Sequence, residues 1–454
     1  MTSASEFIRK SYNVKEVVVR VDSLPNKLGE IEHHVLLRHR EGAAYRCPEC
    51  SKVCPVYDGK TPKENQKLST WRGMDLNGEK VFFHMARPRV ECPEHGIHAC
   101  EVSFAFPGSH FTKDFEYNIV FMAKNETKKA IAEAMRIDWA TVGNIISRIH
   151  SVMEPDPLKR WKTVYMLGLD ESSYKKGHKY FTNIVDIGGS QVIGCVIGYT
   201  EAALNAYFEQ IPEKYRLQVK MVAGDGADWI TRVQKKWFPN AVRCVDPFHV
   251  DEWATDALDQ VRNRAYKEAL KEILNELGVK EMPKESELTP EMKEKLWQAK
   301  QIKKSLYAVG KAPENLTENQ RVLLEMIKNH NSELYRAYLR KEDLRLILKL
   351  NDVDQARRRL RSWIRGAARC RTPEFKELSK KIKRNLQLIL NTIAMKGNSG
   401  KAEAFNGVIK VILRKAFGFR NLQNMIDMII LYCSNLIFRI PNRYYRDLKK
   451  VFAA

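Results

Sequence analysis

The chain has 454 residues, and its 77 lysines and arginines against 55 acids give it a net charge of +22. This length favours about three domains, and the positive charge favours a nucleic-acid partner. The opening segment MTSASEFIRKSYNV lacks the apolar core of a signal peptide, and the late apolar stretch MIDMIILYCSNLIFRI is short and contains Asp427, which argues against secretion and a membrane partner. We therefore expect a cytoplasmic protein, in which nine cysteines favour metal binding over disulfides.

Two short pairs of metal-ligating residues stand in the N-terminal region. The motif CPEC contributes Cys47 and Cys50, and CPEHG contributes Cys92 and His95. Two such pairs around a spacer that reads as strand, turn and strand are typical of a zinc ribbon, whose four ligands close a structural Zn²⁺ site. Cys100 is the substitute for His95 as the fourth ligand. Buried free cysteines are the alternative interpretation.

The stretch TKKAIAEAMRIDWATVGNIISRIH, residues 127–150, predicts a helix-turn-helix. Asp138 can cap a second helix that begins at Trp139. The buried stripe of that helix is then formed by Val142, Ile145, Ile146 and Ile149. The outward face, where a recognition helix contacts DNA, then presents Thr141, Asn144 and Arg148. An ordinary two-helix hairpin is the alternative.

The middle of the chain alternates apolar strands with helices. One strand, at about 164–169, ends at Asp170, and strands at about 180–187 and 191–197 follow it. After a helix, LQVKMVAGDGADW forms a fourth strand that ends at Asp225, and AVRCVD forms a fifth. Three antiparallel strands followed by parallel ones is the order of a ribonuclease-H-like fold, in which the first and fourth strands are neighbours.

This order predicts that Asp170 and Asp225 meet on the sheet. Two close carboxylates repel each other unless a divalent cation lies between them, and Mg²⁺ prefers such oxygen ligands. For either aspartate alone, capping of a strand end or a helix is the alternative. A two-metal site also needs a third acid, expected on a helix after the fifth strand.

A long, charged helical run follows the fifth strand instead. The expected helix comes only after this run, in GNSGKAEAFNGVIKVILRKAFGFRN, residues 397–421. On a helix from Gly400, the polar face holds Glu403, Asn406, Lys410 and Arg414. The opposite, apolar face holds Phe405, Val408, Ile409 and Ile412. Glu403 thus heads a face whose next members are an amide and two bases, which suits a metal ligand beside phosphate-binding groups.

The helical run itself contains QARRRLRSWIRGAARCR, with Trp363 among its arginines. Arg357, Arg361 and Arg365 recur every four residues on one helix face. Such a stripe binds phosphate backbones without reading sequence. A solvated basic face is the alternative.

Taken together, these motifs resemble the DDE insertion-sequence transposases of the ISL3 family over nearly the whole chain. The resemblance rests on the cysteine motifs, the helix-turn-helix, GLDESSYKKGHKYFTNIVD, AGDGADW with FPNAVRCVDPFHV, and the glycine-bounded helix at 397–421. It implies that Asp170, Asp225 and Glu403 hold two Mg²⁺ or Mn²⁺ ions, and that a helical insertion separates the last acid from the sheet. The implied activity is binding of the element's terminal inverted repeats, hydrolysis of the DNA ends and joining of their 3′-OH groups to target DNA.

Three further residues are candidate DNA contacts. DPFH looks like a secondary signature of related transposase superfamilies, so His249 is expected near a phosphate, with packing at a strand end as the alternative. Lys176 and His178, in the turn after the first strand of the sheet, either contact DNA or are solvated. We also expect a homodimer when two element ends are joined, and a place at the bacterial nucleoid.

The expected fold is multidomain α+β: a zinc ribbon, a helix-turn-helix, and a ribonuclease-H-like α/β catalytic domain interrupted by an all-helical insertion. Its domain ranges, in chain order, are 1–110, 111–157, 158–250, 251–395 and 396–454. Two other functions fit the same motifs. One is a structure-specific nuclease with this fold, and the other is a transposase-derived DNA-binding regulator without cleavage activity.

Overall fold

The structure, a computed structural model, describes residues 4–57, 67–175, 177, 179–395, 400–416 and 418–436, with only the backbone for 400–403. The chain forms two compact units. The first, here called the discontinuous unit, combines Met1–Asp156 with Val411–Ala454. The second, the central unit, spans Pro157–Lys410.

The discontinuous unit begins with a mostly β region. Its elements are α1 (Ala4–Ser11), β1 (Val17–Pro25), β2 (Ile31–Arg38), β3 (Ser69–Arg72), β4 (Lys80–Met85), β5 (Arg89–Cys92) and β6 (Gly96–Ala99). Four strands form one sheet in the order β1-β2-β4-β3, and β5 and β6 form a separate hairpin. Burial alternates along β4, where Val81, Phe83 and Met85 face the core. The hairpin predicted between the cysteine pairs is therefore present, but it belongs to the larger sheet.

Three helices follow: α2 (Lys113–Ala123), α3 (Lys128–Met135) and α4 (Trp139–Met153). The Thr127 side chain caps α3 by accepting from the Ala130 amide, and Arg136 ends the helix with a left-handed φ of 54°. Asp138 stands before α4 as predicted, but its side chain makes no capping hydrogen bond. The predicted stripe of α4 is fully buried, at Val142, Ile145, Ile146 and Ile149.

The central unit contains a five-stranded sheet. Its elements are β7 (Met166–Lys175), β8 (Lys179–Asp186), β9 (Gln191–Ile197), α5 (Glu201–Glu209), α6 (Glu213–Leu217), β10 (Met221–Gly224), α7 (Asp228–Trp237) and β11 (Val242–Val245). The strand order is β11-β10-β7-β8-β9. β7, β8 and β9 form an antiparallel meander, whereas β10 is parallel to both β7 and β11. The predicted pairing of the sheet's first and fourth strands is confirmed.

One strand boundary was predicted wrongly. β7 does not end at Asp170 but continues to Lys175, so that Asp170 lies in mid-strand opposite Asn183 of β8. The apolar run stops at Leu169, yet burial still alternates beyond it, with Ser172 buried between the exposed Glu171 and Ser173. Pairing with β8 extends the strand where hydrophobicity alone suggested its end.

From Pro247 to Ala394 the central unit is helical. The helices are α8 (Pro247–Leu277), α9 (Pro290–Lys304), α10 (Leu306–Gly310), α11 (Glu318–His330), α12 (Ser332–Leu348), α13 (Val353–Ala368), α14 (Pro373–Arg384) and α15 (Leu386–Ala394). Asp246 caps α8 by accepting from the Phe248 amide, and Gly278 ends it with a φ of 67°. Thr392 of α15 donates to the Val245 carbonyl at 2.6 Å, which ties this helix to β11.

The last described elements are α16 (Gly400–Lys415) and α17 (Leu422–Cys433). α16 begins at Gly400, as predicted. Ile409 and Ile412 are buried, but Val408, assigned to the same apolar face, is 44% exposed. None of the helices in the described ranges has both the length and the apolar composition needed to cross a bilayer.

Candidate functional site

The register between β7 and β10 determines where the two strand acids lie. Val222 pairs with Leu167, and Ala223 pairs with Gly168. Continuing this register by two residues brings Asp225, which directly follows β10, level with Asp170. The backbones approach closely here, because a Cβ on Gly224 would stand only 2.8 Å from the Leu169 carbonyl oxygen. The parallel pairing thus brings two carboxylates to one region of the sheet.

A histidine from the next helix completes this acidic group. His249, in the first turn of α8, has its Nε2 3.5 Å from Asp170 Oδ1 and its Nδ1 3.2 Å from Glu252 Oε2. Burial disfavours charge on this imidazole, but hydrogen bonds to Asp170 and Glu252, with the nearby charge of Asp225, raise its pKa to about 9. His249 is therefore paired with the acids and is not merely packed at a strand end.

Two residues near this group were not identified from the sequence. Although its side chain is partly exposed, desolvation raises the pKa of Glu171, and the charges of Asp225 and Asp170 raise it further. Arg243 of β11 is only 5% exposed, and its guanidinium donates to the backbone carbonyl of Asp225. Burial lowers the pKa of Arg243 to about 10, against the opposing effect of Cys244 and Asp225.

Arg243 could have been found from the sequence, because it is a charged residue inside the apolar strand AVRCVD. Its guanidinium holds the backbone at the point where Asp225 leaves β10. On the other side of that turn, a Cβ on Gly226 would lie 2.8 Å from the Trp253 ring. The turn that carries Asp225 is thus confined between β11 and α8.

The third predicted acid lies on a described helix but outside the described side chains. Glu403 falls in the first turn of α16, and its side-chain position is not part of the described structure. Lys410 and Arg414 are exposed further along the helix. Asn406 is half-buried, and its Oδ1 is buried without a hydrogen-bond partner among the described residues. Lys176 and His178 lie outside the described residues.

The N-terminal region brings four predicted metal ligands together. The ligand atoms of Cys47, Cys50, Cys92 and His95 all lie within 4.8 Å of one another, which is a set that could hold a metal ion. The His95 imidazole hydrogen-bonds to Cys92 and lowers the pKa of its thiol to about 6. Cys100, the alternative fourth ligand, lies outside this group.

Cys100 has a different partner. Its Sγ is 3.3 Å from Nε2 of His39, a residue that the ligand pattern did not include. Burial raises the pKa of the Cys100 thiol to about 11, and burial also lowers the pKa of the His39 imidazole. Cys100 is thus hydrogen-bonded to His39 outside the ligand group, so His95 is the better candidate for the fourth ligand.

The predicted DNA-facing residues of α4 differ in accessibility. Asn144 is exposed and Thr141 is half-buried. Arg148 does not simply face outward: its Nη1 lies 2.8 Å from Oε1 of Glu116, a fully buried acid on α2. The prediction for Arg148 was wrong in this respect, because the α2 carboxylate is covered by α4 and the sequence of α4 alone does not reveal it.

The arginine stripe of α13 is outward-facing. Arg361 and Arg365 are exposed, and Arg357, half-buried, lies 3.9 Å from Asp354. Trp363 is not part of this surface, since it is 5% exposed and its indole donates to the Arg340 carbonyl. The stripe is therefore a charged face opposite a core-facing tryptophan.

Known transposases are similar to this chain over most of its length. A transposase family model matches residues 167–429, and a model of the helix-turn-helix domain of transposase family ISL3 matches residues 100–150. The transposase for insertion sequence element IS1557 of Mycobacterium tuberculosis (strain ATCC 25618 / H37Rv) is 33% identical over 410 residues, 90% of either chain. The transposase for insertion sequence element IS1001 of Bordetella parapertussis is 24% identical over 380 residues, 83% of this chain and 85% of the relative. The chain therefore belongs to the ISL3 family of insertion-sequence transposases.

Proposed function

We propose that this transposase binds the terminal inverted repeats of its element, cleaves the DNA ends by metal-dependent hydrolysis and joins the freed 3′-OH ends to target DNA. The observation that carries the proposal is the parallel pairing of β7 with β10, which brings Asp170 and Asp225 together. The strand order, with the antiparallel meander beside two parallel strands, supports a ribonuclease-H-like catalytic domain. In this proposal, the helices between residues 251 and 395 form an insertion before the helix of Glu403.

The acid pair fits divalent cations. Its donors are carboxylate oxygens on neighbouring strands, the ligand type that Mg²⁺ and Mn²⁺ prefer. His249 contacts Asp170 and Glu252, and against the effect of burial these acids raise the pKa of the imidazole, which fits a group of acids that favours positive charge. Asp170, Asp225 and Glu403 would hold two ions, which when bound supply charge neutralisation at the scissile phosphate and activation of the attacking water or hydroxyl.

The chain's own residues orient the DNA in this mechanism. His249 would exchange its contact with Asp170 or Glu252 for a hydrogen bond to a phosphate oxygen, and Lys410 and Arg414 on the helix of Glu403 would hold the adjoining backbone. Water attacks first and frees the 3′-OH of the element. At the same site, that hydroxyl then attacks a phosphodiester of the target DNA, which joins the element to the target and releases a 3′-OH of the target strand. No covalent protein–DNA intermediate is required.

Other parts of the chain would bind and align DNA. The cysteine–histidine group would hold a structural Zn²⁺, and Thr141 and Asn144 on α4 would contact the terminal repeats. Lys176, His178 and Asn406 are further proposed contacts near the acids. Arg357, Arg361 and Arg365 would bind phosphates, and a homodimer would join two element ends in the cytoplasm at the nucleoid.

The test uses the full chain with DNA that carries its terminal repeats. We expect Asp170→Asn, Asp225→Asn and Glu403→Gln each to abolish Mg²⁺-dependent end cleavage while retaining end binding. Glu201→Gln is the matched control, because this acid is paired with Arg232 at 2.8 Å on the surface of the central unit. Its cleavage should equal that of the wild type.

Three outcomes distinguish the alternatives. Full cleavage by any one of the three acid variants would overturn its assignment. Cleavage of branched DNA without strand transfer would indicate a structure-specific nuclease. End binding by the wild-type chain without any cleavage would indicate a DNA-binding regulator.

A further inference from the structure

The C-terminal helix α17 packs against the second helix of the helix-turn-helix. Both helices belong to the discontinuous unit, although the contacting residues are 277 to 281 positions apart in the sequence. The contact includes buried polar side chains, which meet α4 beside its apolar stripe. α17 also lies outside residues 100–150, which the helix-turn-helix family model matches.

Asn424 is the centre of this contact. Its side-chain amide donates to the Gly143 carbonyl at 3.2 Å and to the Ser147 hydroxyl at 2.7 Å. Its Oδ1 accepts from the Lys128 ammonium at 3.1 Å. Gly143 leaves room for this side chain, because a Cβ there would stand 2.4 Å from Asn424 Oδ1. Asn424 therefore fills a notch in α4 and bonds to both helices of the motif.

Asp427, one turn further along α17, makes a second set of bonds. It is 2% exposed, and its carboxylate accepts from the Ser147 hydroxyl. Its Oδ1 lies 2.9 Å from Nδ1 of His150 and accepts from the Gln423 amide at 2.8 Å. Asn424 and Asp427 together with their partners on α3 and α4 are called the α17 latch below.

The latch extends to the end of α4 that a recognition helix inserts into the DNA groove. Lys128 is 7% exposed, and its ammonium lies 5.1 Å from the centre of the Trp139 ring. Trp139 is the first residue of α4 and is 42% exposed. Burial lowers the pKa of Lys128 to about 8, so loss of its Asn424 acceptor is costly to the charged form.

We propose that Asn424 and Asp427 are positioning residues for recognition of the element ends, and that α17 is an integral part of the DNA-reading module. This inference rests on the proposed function, since it assumes that α4 reads the terminal repeats. Held by the latch, α4 has one orientation toward the groove. Without the latch, contacts to phosphates persist but contacts to base edges are lost, because only base-edge contacts require a fixed orientation of α4.

The test compares affinity for terminal-repeat DNA with affinity for a scrambled duplex of equal length at one salt concentration. For Asn424→Ala in the full chain, we expect the specific affinity to fall about tenfold or more, because the orientation of α4 that leaves Lys128 buried without its acceptor is less populated, with the scrambled-duplex affinity unchanged. Tyr432→Phe is the matched control. Tyr432 lies on the same helix, but its hydroxyl donates to the Val120 carbonyl on α2 at 2.7 Å. Removing that hydroxyl should leave the ratio of terminal-repeat affinity to scrambled-duplex affinity unchanged.

A double-mutant cycle tests the notch itself. Gly143→Ala places a methyl group against Asn424 and should also lower the ratio, even though alanine favours the helix over glycine. Removal of the Asn424 side chain relieves that clash, and the remaining tight neighbour, Lys128 Nζ at 3.1 Å, is the end of a flexible side chain that can shift. The double variant Gly143→Ala/Asn424→Ala should therefore be no weaker than Asn424→Ala alone. Additive losses in the cycle would overturn the proposed contact.

The remaining outcomes are also decisive. An unchanged ratio for Asn424→Ala, or equal loss on both duplexes, would overturn the positioning role. If the wild-type chain does not prefer its terminal repeats, the proposed function fails. Hydrogen exchange then tests the latch independently of DNA binding. Faster exchange of α4 amides in Asn424→Ala than in Tyr432→Phe would support the latch, and equal exchange would refute it.

Discussion

The close approach of β7 and β10 gives a sharp prediction for Gly224→Ala. The new Cβ would stand 2.8 Å from the Leu169 carbonyl oxygen, whereas ordinary contact begins at 3.4 Å. Leu169 O belongs to the backbone of β7 and cannot rotate away. To reach ordinary contact, the two strands must separate by about 0.6 Å, which is 3.4 minus 2.8. The separation occurs between the two residues that precede Asp170 and Asp225.

The expected loss of cleavage rate is similar in free energy to the loss of stability, but it arises in the folded protein. Catalytic groups tolerate displacements of roughly 0.5 Å, and a misplacement of about 1 Å costs on the order of a hundredfold in rate. We therefore expect Gly224→Ala to cleave about tenfold to a hundredfold more slowly. Overpacking of this kind costs about 1–3 kcal/mol of unfolding free energy, so the variant should still fold and bind DNA ends.

The assay is single-turnover cleavage of a labelled terminal-repeat duplex with saturating protein, together with a thermal melt. Gly168→Ala is the control, because its Cβ would meet only side-chain atoms, with Ile187 at 3.3 Å. We expect this control to cleave within a few-fold of the wild-type rate. Wild-type cleavage by Gly224→Ala, or equal losses in both variants, would refute the reasoning.

Two further predictions concern the discontinuous unit. We expect zinc to copurify with the wild-type chain and with Cys100→Ser but not with Cys92→Ser, as measured by metal content per chain; the reverse result for the two variants would contradict the ligand set. Burial raises the pKa of Glu116 from 4.5 to about 7, against the opposing effect of Ser109 and Arg148, so the native state binds this proton more tightly than the unfolded state. Stability should therefore fall as the pH rises from about 4.5 to 7, and Glu116→Gln should remove up to about 3 kcal/mol of this loss at pH 8. Melting temperatures across that range test this, and a wild-type curve without such a decline would contradict it.

Local patterns in the sequence were enough to predict the sheet of the central unit and its neighbouring acids. Periodicity and turn residues identify each strand, and the order of three antiparallel strands before the parallel ones fixes which are adjacent. The end of β7 could not be predicted in this way, because pairing with β8 carries the strand beyond Leu169 into polar residues. The metal ligands were likewise predictable in type and spacing, but only the packing of Cys100 against His39 separates it from the cysteine–histidine group.

Contacts between distant segments were beyond the reach of local patterns. Arg148 lies at an outward position of α4 when that helix is considered alone, and its pairing with Glu116 depends on how α2 crosses it. The sequence does not identify Asn424 and Asp427 as partners of the helix-turn-helix, because polar residues on an apolar helix are normally expected to face solvent. Their role becomes visible once the fold brings α17 beside α4.

The discontinuous unit also makes the order of synthesis matter. Ser147 and Asn424 are 277 residues apart, so at about 5–20 residues per second the ribosome releases Asn424 roughly 15 to 55 s after Ser147. Throughout that interval the notch at Gly143 has no occupant. The ability to distinguish element ends from other DNA would then arise only near the end of translation. A chain that terminates early would carry a helix-turn-helix but would bind DNA without selecting the ends.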